Sequence, residues 1–193
     1  AITQDFKRIY RPGYLTDATV DDRDVIIFPE KVGGKFVTLH RPMQWVGPQY
    51  GTEAPAIWIA FSDDLLQHKT PVLLAKAQYG WEVKIGGSAP PIKTQYGWFM
   101  LYHAVGPDEQ YRVGAMLLDL HDPARVTHRL PEPILVPEEG YECKGIYPGI
   151  CFPCGNIIMD GTLFVYYGGA DQYVGVATCR FDDLLQELLK HSV

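Results

Sequence analysis

The chain has 193 residues, 47% hydrophobic and 21% charged, with a net charge of −6. That suffices for one globular core, and an acidic balance without any Lys/Arg run argues against nucleic acid or an anionic membrane as partner. No apolar stretch approaches the roughly 18 residues a membrane helix needs, and Ala1-Ile2-Thr3-Gln4-Asp5-Phe6 carries no signal-peptide pattern. A cytoplasmic location is expected, and the lack of an initiator Met fits a processed or truncated start.

In chain order, residues 1–22 read as the last strand of an earlier unit. Then a unit begins that returns three times. Each copy opens near a Pro-rich corner: Phe28-Pro29-Glu30, Pro90-Pro91-Ile92-Lys93, then Phe152-Pro153-Cys154-Gly155. A Gly-led strand of β-branched and aromatic residues follows: Gly34 to Arg41, Gly97 to His103, and Gly161 to Tyr167. The leading glycines lie 63 and 64 residues apart. A further strand comes next, at Ala56–Phe61, Val113–Leu118 and Val174–Cys179, each ending in an Asp turn. The first unit also carries an insertion, Met43 to Pro55, rich in Gly, Pro and aromatics.

Short strands with Gly, Pro and Asp between them predict an all-β protein, and a fixed period predicts repeated blades of a β-propeller. The blades are expected at about 23–75, 84–130 and 145–182. Known propellers have about four to eight blades, so three blades and a remnant make an N-terminally incomplete ring within one domain, 1–193. Asp182-Asp183 predicts the cap of a short C-terminal helix over 183–191, with Leu184, Leu185, Leu188 and Leu189 packed on the body.

The four cysteines are Cys143, Cys151, Cys154 and Cys179. Cys151 and Cys154 have the spacing of half a zinc or redox site, but further ligands and a βαβ context are missing. Free, mostly buried thiols are expected, and no metal or organic cofactor.

The core does not explain every polar residue. The Gly-led strands are expected to be the innermost ones, whose ends line a pocket. His40-Arg41, His103 and Asp171 lie at or just beyond those ends, at matching repeat positions. Arg23 and Lys84 precede the corners of the first two units, and Tyr111 follows the second Gly-led strand. Arg23 also reads as a solvated charge within Asp21-Asp22-Arg23-Asp24, Lys84 as an exposed strand residue and His103 as a satisfied core histidine. If these side chains converge, two Arg and a Lys beside a His and a Tyr make an oxyanion site, since Arg offers a planar donor fork and Lys a point charge.

At this point the sequence resembles glycoside hydrolase family 130, the inverting β-mannoside phosphorylases and their hydrolytic relatives. The matching stretches include Arg23 to Lys31, Gly34 to Pro42, Ile85 to Thr94, Leu101-Tyr102-His103, Phe152 to Gly155 and Tyr166 to Asp171. The resemblance runs from about residue 10 to the end. It implies a five-bladed propeller, of which this chain supplies the C-terminal three-fifths. It places the phosphate site on Arg23, Arg41, Lys84, His103 and Tyr111, and mannosyl binding on Asp171 and His103. The family's proton-donor Asp lies in an N-terminal motif that precedes this chain, so no catalytic residue is visible here.

The mechanism so implied is inverting cleavage. An acid protonates the leaving oxygen while a nucleophile attacks from the opposite face. Phosphate is already a nucleophile, so the site needs cations to hold it in line rather than a second carboxylate. The expected substrates are inorganic phosphate and a β-mannoside or mannooligosaccharide of the β-1,4 or mannosyl-glucose type, and the product is α-mannose 1-phosphate. Trp45 and Tyr50 are expected to stack on the acceptor sugar. Two rivals stand beside this. An inverting hydrolase would need a carboxylate among the cations, where the sequence shows none. A non-catalytic carbohydrate-binding fragment would fit the missing donor. Open sheet faces further predict a second copy or a complementing chain.

Overall fold

The computed structural model describes residues 1–66 and 70–193. They form a mostly β protein with three antiparallel sheets. The first contains β1 (Asp22–Ile27), β2 (Phe36–Pro42), β3 (Ile57–Ser62) and β4 (Val72–Ala75), in that order. The second contains β5 (Lys84–Gly87), β6 (Ile92–Thr94), β7 (Gly97–Val105), β8 (Tyr111–Leu118) and β9 (Val126–Arg129). Both β5 and β6 pair with β7, so they are two pieces of one strand broken at Ser88-Ala89-Pro90-Pro91. A short helix, α1 (Gly140–Cys143), leads to the third sheet of β10 (Cys151–Met159), β11 (Thr162–Gly169) and β12 (Tyr173–Arg180), and α2 (Phe181–Leu188) follows.

The Gly-led strands β2, β7 and β11 each have a neighbour on both sides. An innermost strand would lie at a sheet edge, so that expectation is corrected: β1, β5 and β10 take the edge position. Two of the three repeated glycines are explained by the turns before these strands; at the third, Gly97, φ is 140° and a Cβ would stand 2.2 Å from the Leu118 carbonyl oxygen. Gly33-Gly34 and Asp160-Gly161 carry positive φ at both central positions. Those are the two-residue turns whose twist matches an antiparallel pair. Gly34→Ala is expected to cost about 1–2 kcal/mol from the left-handed backbone alone, read as a lower urea midpoint.

β7 is buried along all nine residues. Its alternate side chains serve two cores. Trp98, Met100 and Tyr102 pack with Val37, Leu39, Ile57 and Ile59 of the first sheet. Phe99 and Leu101 pack with Leu163, Val165 and Tyr167 of the third sheet and with α2. The sheets therefore stack face to face in series, with the second between the others.

A further repeat emerges here that residue spacing had not disclosed. The Glu82 carboxylate accepts the N–H groups of Gln78 and Tyr79 and the Tyr102 hydroxyl. Glu142 does the same with Glu138, Glu139 and Tyr167. Each Tyr ring lies over the glycine directly opposite in the ladder, Gly114 or Gly175.

Three other expectations are corrected. Residues 1–21 make no strand beyond an isolated Ile2–Tyr10 bridge and are largely exposed. The helix starts at Phe181, whose ring packs on Phe99, so Asp182 and Asp183 sit in its first turn and Arg180 is the N-cap. Leu185 and Leu188 are buried, and Leu184 and Leu189 pack against the same core. Of the cysteines only Cys151 is buried; Cys154 and Cys179, on the outer positions of β10 and β12, are exposed.

Candidate functional site

β1 and β2 bring the first two cations together. Arg23 and Arg41 are directly opposite in the ladder. Like charges in that position repel, so the arrangement asks for an anion. One is present: Asp24. A bulge interrupts β1 between Arg23 and Ile26, and Asp24 adopts a left-handed backbone with φ of 53°. Asp tolerates that region better than most residues, and the bulge turns its carboxylate inward.

Asp24 Oδ2 sits 2.7 Å from Arg41 Nε and 3.5 Å from His103 Nε2. It reaches His103 across Gly86, where a Cβ would stand 2.1 Å from that oxygen and 2.5 Å from His103 Cε1. Arg41 is 6% exposed and His103 fully buried. Despite these contacts, Asp24 Oδ2, Arg41 Nε and Nη1, and His103 Nε2 lack an aligned hydrogen-bond partner. Asp24 and Arg41 still pair by charge, but buried polar atoms whose hydrogen bonds are incomplete are costly.

Lys84, at the start of β5, is half-buried with its amine 5.9 Å from the Tyr111 ring centre. Tyr111 stacks on His103 at 5.9 Å, and Phe152 of β10 closes on the same imidazole at 4.4 Å. The electrostatics follow from this crowding. Burial pushes Asp24 up to about 6, against the pull of Arg41. Burial, then Arg41 and Lys84, hold His103 down to about 3, so it is neutral across the physiological range. Burial lowers Lys84, assisted by Arg41 and Arg23.

Arg41, Lys84, His103 and Tyr111 thus converge. Arg23 stands at the rim, about half exposed and paired in two hydrogen bonds with Asp21. Asp171 is exposed, in the left-handed turn between β11 and β12. The link from this turn to the cluster is indirect: the Ala170 carbonyl accepts the Tyr147 N–H, and the Tyr147 ring meets Tyr111. Trp45 and Tyr50 stack on each other at 5.9 Å. Sequence reading overlooked Asp24. It weighed only Arg23 within Asp21-Asp22-Arg23-Asp24, and no residue type announces a bulge. Its statement that no carboxylate lies among the cations is therefore overturned.

Among the described residues no group of three or more His, Cys, Asp or Glu is placed to hold a metal ion. The chemistry of the cluster suits an anion. Three cations surround a carboxylate that is poorly stabilised there, and a neutral imidazole and a phenol complete the wall.

The chain is similar to known proteins over most of its length. The profile of glycoside hydrolase family 130, described as beta-1,4-mannooligosaccharide phosphorylase, matches residues 6–190. A 1,2-beta-oligomannan phosphorylase of Thermoanaerobacter sp. (strain X514) is 46% identical over 178 residues, 90% of this chain and 55% of that protein. A beta-1,4-mannooligosaccharide phosphorylase of Ruminococcus albus is 32% identical over all of this chain and 57% of its own length. The solved structure of a beta-1,2-mannobiose phosphorylase from Listeria innocua, complexed with beta-1,2-mannobiose, superposes with a TM-score of 0.81 at 37% identity, covering 89% of this chain and 48% of that one. The chain spans about half the length of the curated relatives it matches. On the match over 6–190 and on these identities, the chain belongs to glycoside hydrolase family 130.

Proposed function

We propose that this chain carries the phosphate-binding half of a β-mannoside phosphorylase, which cleaves its substrate with inorganic phosphate and inversion to α-mannose 1-phosphate. The observation that carries this reading is the convergence of Arg41, Lys84, neutral His103 and Tyr111, with Arg23 opposite Arg41. Arg41 and Arg23 clamp phosphate oxygens, Lys84 adds charge, and His103 and Tyr111 add hydrogen bonds. Asp24 holds Arg41 until phosphate arrives. Asp171 meets the mannosyl unit in this reading, and the acid on the leaving oxygen comes from outside the cluster. The three sheets are read as three blades of a five-bladed ring, at about 23–75, 84–130 and 145–182. Their shared strand order, three to five strands each, supports that.

For linkage, the 46% identity to an oligomannan enzyme named for 1,2-bonds, against 32% to one named for 1,4-bonds, favours β-1,2. The test is release of phosphate from α-mannose 1-phosphate with mannose as acceptor, followed by linkage analysis of the product. No release, together with no protection of the chain by phosphate against unfolding, would remove this reading.

One observation favours a second reading, an inverting hydrolase. Asp24, with its carboxyl near 6, has the proton affinity of a general base working at neutral pH. Free mannose released at equal rate with and without phosphate is the outcome that selects it.

A further result is expected from Asp24. As pH falls through about 6 its carboxylate gains a proton and stops competing for Arg41. Sulfate, a dianion across this range, is expected to bind several-fold tighter at pH 5 than at pH 7.5. Asp24→Asn is expected to remove that dependence in calorimetric titrations.

A further inference from the structure

The corner Phe152-Pro153-Cys154-Gly155 marks the third unit in the sequence, and the phosphate clamp does not use it. Phe152 sits at the seam between the second and third sheets, both of which this chain supplies. Two backbone ties set its place. The Tyr111 N–H donates to the Gly149 carbonyl at 2.9 Å, and Tyr111 forms a parallel bridge with Ile150. The start of β8 is thus stitched to the residues that lead into β10. Phe152 stands opposite Gly168 in the ladder, so no side chain directly across competes for its ring. The ring instead meets His103 at 4.4 Å and Tyr111 at 6.1 Å. Tyr111 stacks on the same imidazole at 5.9 Å, and Ser88 Oγ lies 3.4 Å from its Nδ1. Two rings and a hydroxyl therefore hold the imidazole, and its Nε2 edge is left toward Asp24.

We infer that Phe152 is a positioning residue of the anion site, which fixes the His103 ring with Nε2 toward the Arg41–Asp24 pair and keeps water off it. This rests on the reading of the cluster as a phosphate site. Two physical effects carry it. A ring free to turn by half a revolution would exchange Nε2 for a carbon, and packing against two aromatic neighbours opposes that turn. A ring walled by apolar surface also stays uncharged, because the imidazolium would lose its hydration there. The groups that bear on its charge are Asp24 of β1, Arg41 of β2, Lys84 of β5 and the Tyr111 phenol of β8; from β10 comes only the uncharged Phe152. Arg41 and Lys84 act with burial to keep the ring neutral, and Asp24, 3.5 Å away, acts against them. Phe152 supplies the burial on the third-sheet side. A neutral, fixed His103 offers the anion a directed hydrogen bond and leaves the charge to the arginines and the lysine.

The test follows the imidazole resonances of His103 by NMR on the 193-residue chain as pH is varied, with inorganic phosphate binding measured by calorimetry on the same samples. Phe152→Ala is expected to raise the midpoint of the His103 titration by about 1–2 pH units and to weaken phosphate binding about tenfold. Phe152→Leu keeps most of the apolar cover but not the ring. It should leave the imidazole titration in place and cost about threefold in phosphate affinity. Parental titration and parental phosphate affinity in both variants, at a lower melting temperature, would make Phe152 sheet packing and nothing more, and would overturn the inference. Should the alanine variant not fold, parental phosphate affinity in the leucine variant overturns it alone. Failure of the parent chain to bind phosphate removes the phosphorylase reading, while the shift of the His103 titration still decides what Phe152 does.

Discussion

Arg41→Ala is expected to weaken inorganic phosphate binding about a hundredfold. Truncating one member of a buried charge pair at a binding site costs about 2–5 kcal/mol, and about 3 kcal/mol is two decades in affinity. Arg41 is the cation best placed to deliver that much, since it is 6% exposed and its guanidinium has two buried nitrogens without an aligned partner. Arg23→Ala should lose only about tenfold, because Arg23 is solvated and already shared with Asp21. The Arg41 variant also leaves Asp24 buried without its nearest cation. The double variant Arg41→Met/Asp24→Asn separates the effects: it should recover stability and still fail to bind phosphate. Calorimetric titration with phosphate, beside a thermal melt, reads both. Equal losses for the two arginines would mean that the anion sits at the rim and not beside His103.

The largest expected loss of stability belongs to Glu82→Ala, at about 3–5 kcal/mol. Glu82 is 7% exposed and Arg129 3%. Arg129 Nη2 donates to Glu82 Oε1 at 2.7 Å, the Tyr102 hydroxyl donates to the same oxygen at 2.7 Å, and Arg129 Nε donates to that hydroxyl at 3.1 Å. Removing the carboxylate strands a buried guanidinium and frees two backbone donors in the turn that enters β5. Lys84 lies two residues beyond, so phosphate affinity should fall along with stability. Glu82→Gln keeps acceptor capacity and should lose about half as much. Urea denaturation, with midpoints compared at constant slope, decides the matter. A loss under about 1 kcal/mol would mean that water replaces the carboxylate.

Much of this molecule could be read from its residues, and the failures have physical causes. The 63- and 64-residue glycine period was legible because the backbone excludes a side chain at each position: Gly34 and Gly161 lie in turns with positive φ, and a Cβ on Gly97 would meet the Leu118 carbonyl. Arg41, Lys84 and His103 could be singled out as neighbours because repeat position and charge coincide there. Asp24 could not, since its role arises from a bulge, and bulges are set by how two strands register rather than by composition. The helix start slipped by two residues because acidic residues serve a first turn as well as a cap, and Phe181 found a partner in Phe99 that no local pattern contains. The Glu82–Tyr102–Gly114 and Glu142–Tyr167–Gly175 sets were legible in principle at spacings near the repeat, but only if a glycine within a strand is read as the seat of an aromatic ring.

β7 is buried on both faces, and Arg23 stands in solvent. The anion cluster therefore has one fixed jaw and one movable jaw. His103 lies on β7, which serves two cores at once, so the amides of that strand should exchange with solvent only through global opening. Arg23 can leave Asp21 at little cost, as an exposed ion pair permits. Ligands of different bulk would then be accommodated by the β1 side alone. Selection for a new substrate should accumulate changes around Asp21 and Arg23 long before it touches the strand that carries the histidine.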